Sequence, residues 1–194
     1  MQQVACMLHG EAADVDIQMR APYVEAALAT GVFSLAQLRQ LRRPRIFKTH
    51  ASWDDLPVAG ATGGAPPPEA SILVVARDPR DVMVSLYYHS RSIKGISYEG
   101  TWDEWYEAFV GGTAPLPMAA SSSSSGKADS SSSDWFEHTL GWWRVAQAHP
   151  GQVLFTRYED MLDHPLEEVC RGTADLMAVD CVPACASSRV LSNG

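Results

Sequence analysis

The chain has 194 residues, 46% of them hydrophobic and 20% charged, a composition typical of one globular domain. Its formal net charge of −8 argues against general binding to nucleic acids or anionic membranes, although a local basic pocket for a small anion remains compatible with it. No apolar run approaches the roughly 20 residues that span a bilayer, and the amino terminus lacks a signal-type pattern, so the sequence predicts a cytoplasmic protein.

The first elements in chain order are predicted helices with a scaffold role. Met1 to Leu8 is typical of the end of an apolar helix, because it begins in mid-pattern without a capping residue. Pro22 to Ala29 is predicted to form a short helix that stops at Gly31. Ser34 is predicted to cap a third helix, whose apolar residues are Leu35, Leu38 and Leu41.

The segment from Arg45 to His50, with the sequence RIFKTH, is predicted to be a short strand. It brings Lys48, Thr49 and His50 to its carboxyl end, where three polar side chains together are unusual. A flexible loop from Pro57 to Pro68 follows by composition.

The most definite pattern is a buried strand that runs directly into a helix. Ile72 to Val75 is an unbroken apolar run, as expected of a parallel strand covered on both faces. Asp78 is a capping residue for the helix that follows, and Pro79 suits its first turn. Arg77 stands where the strand meets the amino terminus of the helix, a place that favours a phosphate. The alternative is an ordinary strand–helix unit in which Arg77 pairs with Asp78 or Asp81.

The middle of the chain combines a capped helix with a low-complexity tract. Thr101 and Glu104 form a capping box for a helix through Val110, with Trp102, Trp105 and Phe109 predicted on its buried side. Residues 112–133 are expected to be a disordered insertion, because Ser121 to Ser125 and Ser130 to Ser133 frame a tract without an apolar anchor.

The last ordered part is predicted as helix, strand and helix. Asp134 and Glu137 mark the start of a helix in which Trp142 and Trp143 are expected in the core. Val153 to Tyr158 is predicted to be a second buried parallel strand, and a helix begins near Pro165 and runs towards Met177. The order of elements predicts an α/β fold with a mainly parallel sheet, forming one domain over residues 1–178 and an irregular tail over 179–194. The four cysteines are scattered and are expected to be reduced: Cys6, Cys170, Cys181 and Cys185.

Four of these motifs, in this order, resemble those of the cytosolic-type sulfotransferases. They are PRIFKTH followed by DDLP, VVARDPRDVMVSLYYH, WFEHTLGWW and RYEDM, and they extend over roughly Arg20 to Met177. The resemblance implies a P-loop-like three-layer α/β fold. It also implies sulfuryl transfer from 3′-phosphoadenosine 5′-phosphosulfate (PAPS) to a hydroxyl or amine of a small acceptor, with no metal.

The resemblance also assigns roles to individual residues. His50 corresponds to the general base and Lys48 to the ammonium that stabilises the leaving phosphate of PAPS. Arg77 and Ser85 would bind the 3′-phosphate, and Tyr158 would lie near the adenine. Taken alone, a histidine such as His50 is more often structural, and Tyr158 is equally compatible with a core position. His138 is a candidate for the acceptor pocket or for a structural role.

Two motifs of the family have no match, a glycine-rich loop of the type PKSGTTW and a carboxyl-terminal RKG loop. The chain is therefore expected to be truncated at both ends and its fold to be incomplete. The alternative function is a non-catalytic remnant that binds adenosine 3′,5′-bisphosphate weakly, or a protein partner. A nucleotide kinase or NTPase is disfavoured because the sequence contains no GxxxxGK[ST] run. The acceptor and the oligomeric state cannot be predicted from these motifs.

Overall fold

The computed structural model describes residues 12, 14–56, 64–94, 96–114 and 134–177. Two compact units divide the chain, Met1–His50 and Ala51–Gly194. The predictions for Met1 to Leu8, for residues 115–133 of the predicted insertion and for the tail after residue 178 lie outside the described residues, as does most of the predicted loop from Pro57 to Pro68. Residues 112–114 are described, and Ala114 is buried in a cluster with Trp105, so the disorder predicted for residues 112–133 is wrong at these three positions.

In the first unit, the described residues form three short helices around a small apolar cluster. Its helices are α1 (Ile17–Arg20), α2 (Val24–Ala29) and α3 (Leu35–Gln40). The predicted cap of α3 is confirmed, since Ser34 and Gln37 form a capping box. The chain leaves α2 through Gly31, which has a positive φ of 70°. Three buried side chains make the cluster: Ala27, Phe33 and Leu38.

The predicted strand from Arg45 to His50 is wrong as a regular strand. Among the described residues, this segment pairs at Lys48 alone, in a single parallel bridge with Tyr23. The Lys48 amide donates to the Pro22 carbonyl at 3.0 Å, and its carbonyl accepts from the Val24 amide at 2.9 Å. The segment is thus fixed by hydrogen bonds to the chain around the start of α2.

Within the part of the second unit that the structure describes, helices alternate with two strands. Its elements are β1 (Ile72–Ala76), α4 (Pro79–Ser92), α5 (Trp102–Val110), α6 (Trp135–Ala148), β2 (Val153–Arg157), α7 (Tyr158–Asp163) and α8 (Pro165–Met177). β1 and β2 are parallel, with Ile72 opposite Val153 and Ala76 opposite Arg157. The predicted parallel strands at these two segments are confirmed and pair with each other, although β2 ends at Arg157 and Tyr158 begins α7.

Helices cover both faces of β2. Val153 and Phe155 pack in a cluster with Trp142 of α6. On the opposite face, Leu154 lies against α8, and the Thr156 hydroxyl donates to Glu168 of the same helix. This helix–sheet–helix arrangement agrees with the predicted α/β layers. β1 is less covered than predicted, since its side chains are half-buried and Val75 is 41% exposed.

α4 and α5 pack against each other through aromatic side chains. The predicted capping box of Thr101 and Glu104 is present. Trp105 is fully buried, and its indole N–H donates to the Met83 carbonyl of α4 at 3.0 Å. The predicted burial of Trp102 is wrong, because this residue at the first position of α5 is 38% exposed.

Two further predictions need correction. Trp143 is 46% exposed, whereas Trp142 is buried as predicted, because adjacent helical residues point about 100° apart. Cys170 is disulfide-bonded, so the expectation of reduced thiols is wrong at this position. Among the described residues, no helix is both long and apolar enough to cross a membrane.

Candidate functional site

The segment containing Lys48 and His50 lies in the first unit beside the start of α2. The Tyr23 ring contacts both predicted catalytic side chains. Its centroid is 5.4 Å from the Lys48 ammonium and 5.0 Å from the centroid of the His50 ring, which meets it edge-on at 80°. The structure therefore places the predicted base and the predicted ammonium on one aromatic side chain. Burial raises the pKa of Tyr23, and the charge of Glu25 adds to that rise, so the phenol stays protonated near neutral pH.

Glu25 secures the same segment. Its Oε1 accepts a hydrogen bond from the Thr49 hydroxyl at 2.5 Å and another from the His50 amide at 3.0 Å. The backbone on both sides of Thr49 is thus tied to α2, which limits the positions open to the His50 side chain.

In the second unit, the strand-to-helix junction has the predicted form. β1 ends at Ala76, and Asp78 caps α4 by accepting from the Arg80 amide at 2.9 Å, with Pro79 in the first turn. The side chain of Arg80 also bonds Asp78, which holds the pKa of that carboxyl far below its ordinary value. The cap therefore stays ionised at neutral pH.

Arg77 lies at this junction between two partners. Its Nη2 is 3.2 Å from Asp81, as the structural alternative for this stretch expected. Its guanidinium carbon lies 5.0 Å from the centroid of the Tyr158 ring, a cation–π contact. The Nε atom is buried and has no hydrogen-bond partner among the described residues. The structure thus brings together two predicted cofactor-binding residues, one from the end of each strand.

The other predicted donor-binding residue, Ser85, is exposed on α4. It follows Asp81 by four residues and therefore lies on the same face of the helix. Tyr158 is 36% exposed, so the alternative that it is a core residue does not hold.

Glu159 connects the ends of the two strands. Its Oε1 accepts from the Asp78 amide at 2.9 Å, and this hydrogen bond holds the pKa of Glu159 below its ordinary value. The side chain lies beside a pocket of about 200 Å³ at the carboxyl ends of β1 and β2. The residues lining the pocket are Ala76, Arg77, Asp78, Pro79, Trp135, Thr139, Phe155, Arg157 and Glu159.

His138 makes a contact that supports its structural alternative. Its Nε2 lies 3.3 Å from the Ala51 carbonyl, which also accepts from the Trp142 indole at 3.2 Å. Both α6 side chains therefore hold the same backbone oxygen.

Tyr23, Glu25 and the bridging role of Glu159 were not predicted from the sequence. Tyr23 and Glu25 are about 25 positions from the residues they contact, and Glu159 is 81 positions from Asp78. Helical or strand periodicity does not encode such contacts. The local signal for Glu159 is its place in an acidic pair with Asp160 just after β2.

Comparison with known proteins gives a family match over most of the chain. The family model described as "Sulfotransferase domain" matches residues 1–172. Sulfotransferase 1C2 of Homo sapiens is 31% identical over 153 residues, which cover 79% of this chain and 44% of that protein. Sulfotransferase 1A1 of Canis lupus familiaris is 29% identical over 151 residues, or 78% of this chain and 43% of that protein. The chain thus spans less than half the length of these curated relatives.

Solved structures agree in fold. A putative steroid sulphotransferase of Arabidopsis thaliana superposes with a TM-score of 0.67 at 20% identity, covering 97% of this chain and 60% of that one. Mouse sulfotransferase SULT7A1, solved in complex with PAP, gives a TM-score of 0.57 at 22% identity, with 82% of this chain and 51% of that one covered. At these identities the match supports the fold alone, which is the incomplete P-loop-like α/β fold predicted from the motifs.

Proposed function

Because this chain belongs to the sulfotransferase family, we propose that it transfers a sulfuryl group from PAPS to a hydroxyl or amine of a small acceptor. PAPS supplies the activated sulfuryl group. His50 accepts the proton of the acceptor, and the Lys48 ammonium stabilises the negative charge on the departing phosphate. Arg77 and Ser85 bind the 3′-phosphate, and Tyr158 lies against the adenine.

The observation that carries this proposal is the state of Arg77. Its buried Nε has no hydrogen-bond partner among the described residues, and the side chain lies at the amino terminus of α4. A guanidinium has five N–H donors in a planar fork, so one contact with Asp81 leaves donors for a phosphate. The positive dipole end of α4 favours the same ligand. These residues fit a phosphate group.

The cation–π contact between Arg77 and Tyr158 supports the adenosine part of the proposal. The two residues follow β1 and β2, whose parallel pairing places their carboxyl ends at one edge of the sheet. A phosphate and an aromatic base held by these side chains belong to one ligand of nucleotide type.

The test measures binding and turnover separately. Calorimetric titration of the full chain with adenosine 3′,5′-bisphosphate is expected to show binding. Incubation with PAPS labelled in the sulfuryl group and a panel of phenols, alcohols and amines is expected to label at least one acceptor. The Arg144→Ala variant, which alters an exposed arginine of α6, serves as a control for nonspecific charge effects.

The outcomes separate the two candidate functions. Binding of the bisphosphate without transfer to any acceptor would favour the non-catalytic alternative. Absence of binding at millimolar concentration would contradict the proposed donor site.

The cytoplasmic location expected from the sequence stays a prediction.

A further inference from the structure

We propose that Glu25 is a positioning residue for the reaction, which holds the backbone of Thr49 and His50 so that the His50 imidazole keeps one orientation. This inference rests on the proposed function, because it assigns Glu25 a role only through His50. Glu25 itself is not proposed to contact the donor or the acceptor.

The contacts of the first unit support this role. One oxygen of Glu25 accepts from both the Thr49 hydroxyl and the His50 amide, at 2.5 and 3.0 Å. A carboxylate that accepts two hydrogen bonds makes charge-assisted contacts, which are shorter and stronger than neutral ones. The two donors come from consecutive residues, so their common acceptor fixes the chain on both sides of one peptide bond.

Side-chain contacts add to the backbone contacts of this segment. Among the described residues its backbone forms one parallel bridge, at Lys48, whose amide and carbonyl bond Pro22 and Val24. Glu25, in the first turn of α2, supplies the attachment for the next two residues. The helix is itself anchored, since Ala27 packs in the buried cluster with Phe33 and Leu38.

A catalytic base works only when its nitrogen lies within hydrogen-bond reach of the proton it takes. A displacement of about 1 Å is enough to lower a rate by about 10²-fold. The Tyr23 ring limits His50 on one side through its edge-on contact. Glu25 limits the backbone from which the imidazole extends, so loss of its carboxylate is expected to slow the chemical step while leaving the donor site unchanged.

The test compares three substitutions of Glu25 with a control. Glu25→Ala removes the acceptor, Glu25→Asp shortens it by one methylene, and Glu25→Gln keeps an oxygen acceptor without the charge. The control is Glu107→Ala, which alters an exposed glutamate of helix α5. For each variant the measurements are turnover at saturating PAPS, calorimetric affinity for adenosine 3′,5′-bisphosphate, and hydrogen exchange of the His50 amide.

Glu25→Ala is expected to lower turnover by about tenfold or more and to speed exchange of the His50 amide by a similar factor. Bisphosphate affinity is expected to stay within about twofold, because Arg77 and Ser85 belong to the other unit. Glu25→Gln is expected to restore part of both the turnover and the amide protection. Unfolding of the first unit would also lower turnover without changing donor affinity, so amide exchange elsewhere in that unit is measured as well.

The Leu38 amide, which bonds the Ser34 carbonyl in α3, reports whether the first unit remains folded. If Glu25→Ala abolishes the protection of the Leu38 amide from exchange, the test uses Glu25→Asp instead. In that variant the His50 amide is expected to exchange faster and turnover to fall, while the Leu38 amide stays protected. If the unmodified chain transfers no sulfuryl group, the proposed function fails at that point. The exchange data still decide whether Glu25 holds His50, and wild-type exchange in Glu25→Ala or Glu25→Asp would overturn the inference.

Discussion

Arg77 is bound on one side by the Asp81 carboxylate and on the other by the Tyr158 ring. Neither contact uses its Nε. The fork geometry of arginine matches a phosphate in a way that a lysine ammonium does not, since the ammonium is a point charge. We therefore expect Arg77 to contribute through geometry as well as through charge.

Arg77→Ala is expected to weaken binding of adenosine 3′,5′-bisphosphate by about tenfold or more. The physical reason is the loss of a charge-assisted contact that contributes on the order of 1.5–3 kcal/mol. Arg77→Lys is expected to recover part of the affinity, and the control Arg144→Ala is expected to bind as tightly as the unmodified chain. Calorimetric titration measures all three, and equal affinities for Arg77→Ala and the unmodified chain would show that the phosphate lies elsewhere.

His50→Ala is expected to reduce turnover by about 10²-fold or more, because it removes the proposed base while leaving Arg77 and Ser85 to hold the donor. Bisphosphate affinity should change little. The matched control is His89→Ala, which alters an exposed histidine of α4. Assays with labelled PAPS at saturation measure the effect. Full turnover in His50→Ala, or a loss of affinity as large as that of Arg77→Ala, would contradict the division between base and phosphate anchor.

The sequence was informative about site residues that are close together in the chain. Lys48 and His50 were recognised because polar side chains cluster in one short motif, and Arg77 because it separates an apolar run from a helix cap. Glu25 and Tyr23 were missed because their contacts depend on how the chain returns past α2. The Arg77–Asp81 pair was foreseen as the structural alternative, and the structure contains it alongside the proposed binding role.

At the scale of elements, the packing of α4 against α5 depends on one buried tryptophan, Trp105. Trp105→Ala is expected to lower the free energy of unfolding by about 3–5 kcal/mol, since it leaves a cavity and removes the indole hydrogen bond to Met83. Trp102→Ala is expected to lower it by about 1 kcal/mol, the contribution of an aromatic pair, because Trp102 is partly exposed and contacts the Tyr87 ring. Urea denaturation followed by circular dichroism measures both changes in the free energy of unfolding. Similar losses for the two variants would contradict the assignment of Trp105 as the buried and Trp102 as the partly exposed tryptophan of α5.

Helix boundaries were predicted more accurately than burial. The caps at Ser34, Asp78, Thr101 and Asp134 depend on local hydrogen bonds, which short sequence patterns encode. Burial of Trp102 and Trp143 depends on which neighbouring element covers each helix face, and apolar character does not determine that. The predicted strand ending in His50 failed for a related reason, because a strand requires a partner along its whole length.

At the scale of the whole molecule, stability is expected to fall in acid. Burial raises the pKa of Glu168, but hydrogen bonds from Arg171 and Thr156 lower it by more than burial raises it. The net pKa of Glu168 therefore lies below its ordinary value of 4.5. The Asp78 amide also lowers the pKa of Glu159. A group with a lowered folded-state pKa stabilises the fold fully above its unfolded-state pKa, and this contribution is lost as pH falls through the folded-state value. The free energy of unfolding should therefore decrease between about pH 5 and pH 3.

Denaturation at a series of pH values measures this decrease. Glu168→Gln is expected to make the pH dependence shallower, because the variant lacks the titrating carboxyl that joins β2 to α8. Glu167→Gln, at the exposed neighbouring position, provides the matched control. An unchanged slope in Glu168→Gln would assign the acid sensitivity to other carboxyl groups.

The hydrogen bond from the Asp78 amide to Glu159 joins positions that are 81 residues apart. The chain must close a loop of that length before β1 and β2 form their ladder, and loop closure loses conformational entropy before the sheet contacts compensate for it. α4 and α5 meet through Trp105 and Met83 across 22 residues, so they are expected to associate earlier. Closure entropy grows only with the logarithm of loop length, and doubling the connection costs about 0.6 kcal/mol. The segment between the strands therefore has wide freedom to vary in length, and such variation would change the rate of folding more than the final stability.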